Sequence, residues 1–205
     1  LTGKGLGLKM SLGFEKEGFS IKYFPDTKPG TPLTKALHLD DTTIEIDNKS
    51  LTHRPDLWGH YGMAREVAAI FGKPLKKLDS FIKIGPVKGK EKVRIAIKNS
   101  KLCPRFSACI MTGIRIEESP QWLKSRLLAA GMNPHNSVVD ITNYVMLELG
   151  QPMHAYDRSI VGDGFTVRFA RKGEKLVTLD ASEQKLSEED PLVCNKHDEA
   201  MGLAG

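Results

Sequence analysis

The run Asn136-Ser137-Val138-Val139-Asp140-Ile141-Thr142-Asn143-Tyr144-Val145-Met146-Leu147-Glu148-Leu149-Gly150-Gln151-Pro152-Met153-His154-Ala155-Tyr156-Asp157 joins a helical pattern to a loop. Val138, Ile141, Val145 and Leu149 recur at the three- and four-residue spacing of one helix face. The spacing predicts a helix from about Ser137 to Leu149, ended by Gly150. A Pro-containing loop, Gln151 to His154, follows. Asp140, Thr142 and Asn143 are polar groups on an otherwise apolar helix, and Asp140 and Asn143 share a face because they are three apart. These residues fit two roles. A helix-borne Asn and Thr facing a loop-borne His can position a water and an ester carbonyl. Equally, Asp140 and Asn143 can satisfy local backbone groups while His154 packs in its loop.

Upstream, Ser119-Pro120 reads as a helix start, with Ser as cap and Pro in the first turn. Leu123, Leu127 and Ala130 form its expected buried stripe, and Gly131 ends it. Val93–Ile97 and Phe106–Ile116 read as strands. Downstream, strands are expected near Phe165–Ala170, Leu176–Leu179 and Leu192–Cys194. Strand, strand, helix, helix, then strands is α+β order rather than the alternation of a doubly wound sheet. Further out, Asp56 to Phe71 reads as a helix capped by Gly72, and Thr42–Ile46 as a short strand. Residues 1–24 look like the tail of a preceding domain or a linker. Residues 25–80 form a small α+β module, 81–92 a linker and 93–205 a second, β-rich domain. The chain opens at Leu1 without an initiator Met and closes at Gly205, so it reads as a piece of a longer protein.

The 205 residues are 40% hydrophobic and 27% charged, ordinary for a globular chain. No run is apolar enough for a transmembrane helix, and no secretion signal opens the sequence. Cys103, Cys109 and Cys194 are odd in number and form no CxxC pair, which disfavours a disulfide framework and a cysteine zinc site. Reduced thiols in a cytoplasmic protein are expected. His53 and His60 with Asp56 between them lack zinc-motif spacing. From Lys83 to Arg126 eleven basic residues face three acidic ones, within a net charge of +5. Such a stretch attracts polyanions. Trp58 and Trp122 read as core residues rather than stacking platforms, and Glu188-Glu189-Asp190 as a solvated turn. No P-loop or dinucleotide fingerprint is present.

Val138 to Asp157 closely resembles a signature of the bacterial phenylalanine–tRNA ligase β subunits, in an almost unbroken match. Pro29–Leu33, Leu39-Asp40-Asp41, and His53-Arg54-Pro55-Asp56 before the Gly62–Ala68 stretch resemble the family's segment ahead of its editing domain. Cys103-Pro104-Arg105-Phe106 resembles that domain's opening, and Leu179-Asp180, Leu186 and Leu192-Val193 its later strands. The resemblance implies a three-layer (β/β/α) editing domain, C-terminally incomplete here. It implies an α2β2 ligase that charges tRNA-Phe with phenylalanine, with ATP and Mg2+ handled at the α subunit and no cofactor or metal in this piece. It further implies a site that hydrolyses tyrosine wrongly joined to tRNA-Phe. A pocket for phenylalanine rejects an isostere bearing one extra hydroxyl by only ~10²-fold, so a second, hydroxyl-requiring site is needed. By matching position, His154, Asn143 and Thr142 surround the ester. Asn133, where many relatives carry Arg, then lies with His135 and Gly205 near the tRNA end.

Overall fold

A computed structural model describes residues 27–78, 89, 91–178 and 181–204. The described residues fall into two compact units, one within Leu1–Lys83 and Arg115–Ala155, the other within Ile84–Ile114 and Tyr156–Gly205. Each unit therefore draws on two stretches of chain. Helices dominate the first unit and a mixed sheet the second, so the class is α+β. Among the described residues no helix is long and apolar enough to cross a membrane.

The first unit contains helices α1 (Leu33–Ala36), α2 (His60–Ile70), α3 (Gln121–Ala129) and α4 (Ser137–Leu149). Its buried apolar residues are Leu37, Leu57, Leu123 and Leu127. The Ser125 hydroxyl donates to the Leu37 carbonyl at 2.5 Å, fixing α3 to the end of α1. The expected helix from Asp56 to Phe71 is broken: a 3-10 turn covers Pro55–Leu57, and α2 begins only after Gly59, whose backbone is extended. Packing explains the break, because a Cβ on Gly59 would lie 2.4 Å from the Gly150 nitrogen. His60 Nδ1 and the Leu147 carbonyl, 2.8 Å apart, add a second tie between α2 and the end of α4. Arg54 bridges Asp56 and Glu66, and Arg65 reaches Asp56 at 2.6 Å. The Arg54 hydrogen bonds hold the Asp56 carboxyl well below the usual carboxylate range.

Several expectations fail in this unit. Thr42–Ile46 has no strand, and Ile44 and Ile46 are exposed, because no neighbouring strand offers the ladder that such a segment needs. Trp58 is 70% exposed and Trp122 40%, so neither is a core residue. Pro120, not Ser119, occupies the cap of α3, and the Ser119 hydroxyl is engaged elsewhere. Ala130 faces solvent beside the buried Leu123 and Leu127. The α4 bounds match the expectation, but Ile141 and Leu149 are exposed and the one fully buried residue is Asp140.

The second unit contains strands β1 (Arg94–Ile97), β2 (Gly164–Phe169), β3 (Lys175–Val177), β4 (Glu183–Lys185), β5 (Pro191–Cys194) and β6 (Ala200–Leu203), with the short helix α5 (Arg158–Val161). One sheet runs β1-β2-β5-β6 and a second pairs β3 with β4. β1 lies parallel to β2, with Arg94 opposite Gly164; β2–β5 and β5–β6 are antiparallel. Val167, Ala170, Leu192, Val193 and Cys194 are buried there. Arg168 is buried too, and all five of its N–H groups find acceptors on Glu174, Asp198 and the Phe169 carbonyl. Its hydrogen bonds pull the Glu174 carboxyl down to about 2. Phe106–Ile116 forms no strand, and Met111, Ile114 and Ile116 are exposed; β-branched composition does not make a strand without a ladder partner. The Leu179-Asp180 pair lies outside the described residues.

Candidate functional site

The first unit carries every candidate residue that the structure describes. Its frame is the N-terminus of α4. Asn136 caps the helix, its side-chain oxygen accepting from the Val138 and Val139 amides at 3.1 Å each. One turn on, the Asp140 carboxylate has no exposed surface. It accepts from the Ser119 hydroxyl at 2.5 Å and from the His135 amide at 2.8 Å. A buried carboxylate must be hydrogen-bonded, and its place in the first turn of a helix suits its charge. Asp140 thus ties three segments together: the entry to α3, the loop from Gly131 to Asn136, and α4. This is the structural role for Asp140, and the sequence alone left that role open.

Thr142 and Asn143 sit side by side on α4, both half-buried. The Thr142 hydroxyl donates back to the Val139 carbonyl at 2.7 Å, leaving its oxygen able to accept. The Asn143 amide makes no hydrogen bond to the described residues, so its donors and acceptor are uncommitted. His154 is exposed in the loop beyond Gly150, and no hydrogen bond joins it to Thr142 or Asn143. Gly150 itself closes α4 in the left-handed conformation, at φ 75°. Asn133 and His135 are exposed in the loop that Asp140 anchors. Gly205 lies outside the described residues. Among the described residues no cluster of three or more His, Cys, Asp or Glu could hold a metal ion. His60, one of the two spaced histidines, contacts the Leu147 carbonyl.

The sequence reading missed what anchors this frame. Asp140 was visible as a polar residue among valines, but Ser119 lies twenty-one residues away and no local pattern connects the two. A second cluster also went unread. Trp122 and Arg126, one helical turn apart on α3, gather with Tyr144 of α4: the guanidinium lies 5.4 Å from the Trp122 ring centre and donates to the Tyr144 hydroxyl at 2.7 Å.

Comparison with known proteins gives consistent results. The chain is similar to the phenylalanine–tRNA ligase β subunit of Solibacter usitatus, 49% identical over 80% of this chain and 21% of that protein. The β subunit from Synechocystis sp. is 40% identical over 95% of this chain and 24% of its own length. That of Anaeromyxobacter dehalogenans is 39% identical over 88% and 22%. The chain therefore spans about a fifth to a quarter of the length of these relatives. Residues 102–205, half of the chain, match the B3/4 domain model. They take in α3, α4, α5 and strands β2 to β6, and the chain belongs to the B3/4 domain family.

Proposed function

We propose that this chain is part of a phenylalanine–tRNA ligase β subunit and carries part of a site that hydrolyses tyrosyl-tRNA-Phe. The observation that carries the reading is Asn143: a half-buried amide, uncommitted among the described residues, on a helix whose N-terminus is locked by Asp140. The similarity to phenylalanine–tRNA ligase β subunits supports an aminoacyl-tRNA as substrate. An aminoacyl ester is already labile, so its hydrolysis needs a placed water and stabilised charge more than a strong nucleophile. In this reading Asn143 donates to the ester carbonyl and Thr142 accepts from the ribose or the water. His154 orients the water that attacks the carbonyl carbon. The ester C–O bond breaks, tyrosine leaves as the acid, and the ribose oxygen takes the proton. In the same reading Asn133 and His135 lie along the tRNA end.

The whole enzyme would be an α2β2 ligase of the cytoplasm, with ATP and Mg2+ at the α subunit and tRNA-Phe shared between subunits. The test is deacylation of tyrosyl-tRNA-Phe by the full enzyme with His154→Ala. A loss of about 10²-fold, with phenylalanine charging intact, is the expected result. Unchanged hydrolysis removes His154 from the chemistry.

A second reading, a subunit-assembly module, is favoured by one observation. Val67, Ile70 and Phe71 leave an apolar face of α2 exposed. Ile70→Asp with Phe71→Asp would then break the α/β complex on sizing while deacylation by the remaining complex is preserved.

A further inference from the structure

The Trp122–Arg126–Tyr144 cluster joins α3 to α4 and holds an exposed cation. Trp122 and Arg126 are one turn apart and exposed, on the face of α3 next to that of the buried Leu123 and Leu127. The guanidinium is held by aromatic groups: 5.4 Å from the Trp122 ring centre, 5.9 Å from that of Tyr144, with a hydrogen bond to the Tyr144 hydroxyl. Trp122 meets Tyr144 edge-on at 5.6 Å. Arg54, Arg65, Arg158, Arg168 and Arg171 each pair with a carboxylate. Arg126 has none among the described residues, so most of its N–H groups have no protein acceptor there.

A cation oriented by aromatic stacking and left without an anion is preorganised for one. Its fork of donors matches a phosphate, and the exposed part of the adjacent indole offers a base a surface on which to stack. We propose that Trp122, Arg126 and Tyr144 form a docking point for an RNA strand, with Arg126 on a backbone phosphate and Trp122 against a base. This deepens the proposed function by adding an RNA contact apart from the ester-cleaving residues, and it rests on that reading for the identity of the polyanion. The net charge of the chain, +5, is of the sign that a polyanion partner needs.

The experiment uses the full chain with Trp58→Phe, so that Trp122 is the only tryptophan, and uncharged tRNA as the probe. Trp122 emission is expected to be quenched on binding. Arg126→Ala should weaken binding at least fivefold and flatten the salt dependence by about 0.7 to 0.9 in the log–log slope, the loss of one phosphate contact. Arg126→Gln, which keeps a planar donor for Tyr144, should give the same loss with the fold intact by circular dichroism. Trp122→Ala should weaken binding by fivefold or more. Wild-type affinity and slope in both Arg126 variants would overturn the proposal. So would RNA binding with unchanged Trp122 emission, or equal quenching by polyglutamate at matched charge. Because the probe carries no amino acid, failure here leaves the hydrolysis reading standing, and failure of the His154 test leaves this one standing.

Discussion

Ser119 and Asp140 meet through a hydrogen bond of 2.5 Å in which the hydroxyl donates to a carboxylate with no exposed surface. The same carboxylate takes the His135 amide. Asp140→Ala should therefore destabilise the chain by about 2–4 kcal/mol, since it empties a buried volume and strands an amide at once. Ser119→Ala should cost about 1–3 kcal/mol by leaving one carboxylate oxygen short of a donor. Urea unfolding monitored by circular dichroism checks both, and equal stability of Asp140→Ala and wild type would remove Asp140 from the frame.

The Arg168–Glu174 pair makes an acid limb. Glu174 sits near 2 in the fold, below its usual range, because Arg168 hydrogen-bonds its charged form. The unfolded chain binds that proton more readily. Stability from this pair is complete above about pH 4.5 and declines as pH falls toward about 2. Glu174→Gln should flatten the melting temperature against pH across that window. A wild-type slope there in the variant would assign the acid limb to other carboxylates.

Gly59 leaves no room for a side chain. A methyl group there would meet the Gly150 nitrogen at 2.4 Å and the Leu149 carbonyl carbon at 2.8 Å, both backbone atoms that cannot swing away. Gly59→Ala should cost about 1–3 kcal/mol as the end of α4 is pushed off the start of α2. Because the displaced turn leads straight into the loop bearing His154, the hydrolysis proposed for the whole enzyme should fall in the same variant. Thermal melts and deacylation assays read the two effects separately.

The three thiols should differ in reactivity. Cys194 is fully buried in β5 and burial pushes its thiol up, whereas Cys109 is exposed. Iodoacetamide should label Cys109 at least tenfold faster than Cys194 in the folded chain, and equally once urea is added. Mass spectrometry of timed digests measures the ratio. Equal rates without denaturant would mean that β5 opens readily.

The helix of residues 137–149 was legible because two local signals agreed: a 3.6-residue pattern through it and Gly150 to end it. β1 was legible from alternation, and strands near β2 and β5 were expected too. β4 was not, because Glu183-Gln184-Lys185 is wholly polar and exposed and takes its form from pairing with β3. Phe106–Ile116 erred the opposite way, with strand composition but no ladder. The candidate residues on α4 could be read from the signature, whereas Asp140 as anchor and Arg126 as an oriented cation depend on partners that only the fold brings near.

The parallel pairing of Arg94 with Gly164 also dictates an order of assembly. Among the described residues β1 is the edge strand of its sheet, and β2 is its one partner there. All of α3 and α4 lies between those two strands in the chain, folded into the other unit. During synthesis β1 cannot take up its pairing with β2 until residues 164–169 have left the ribosome. Closing so long a loop is slow, and the waiting strand is a ready template for another chain. Its own Arg94 and the flanking Lys92 and Lys98 are well placed to keep nascent copies apart.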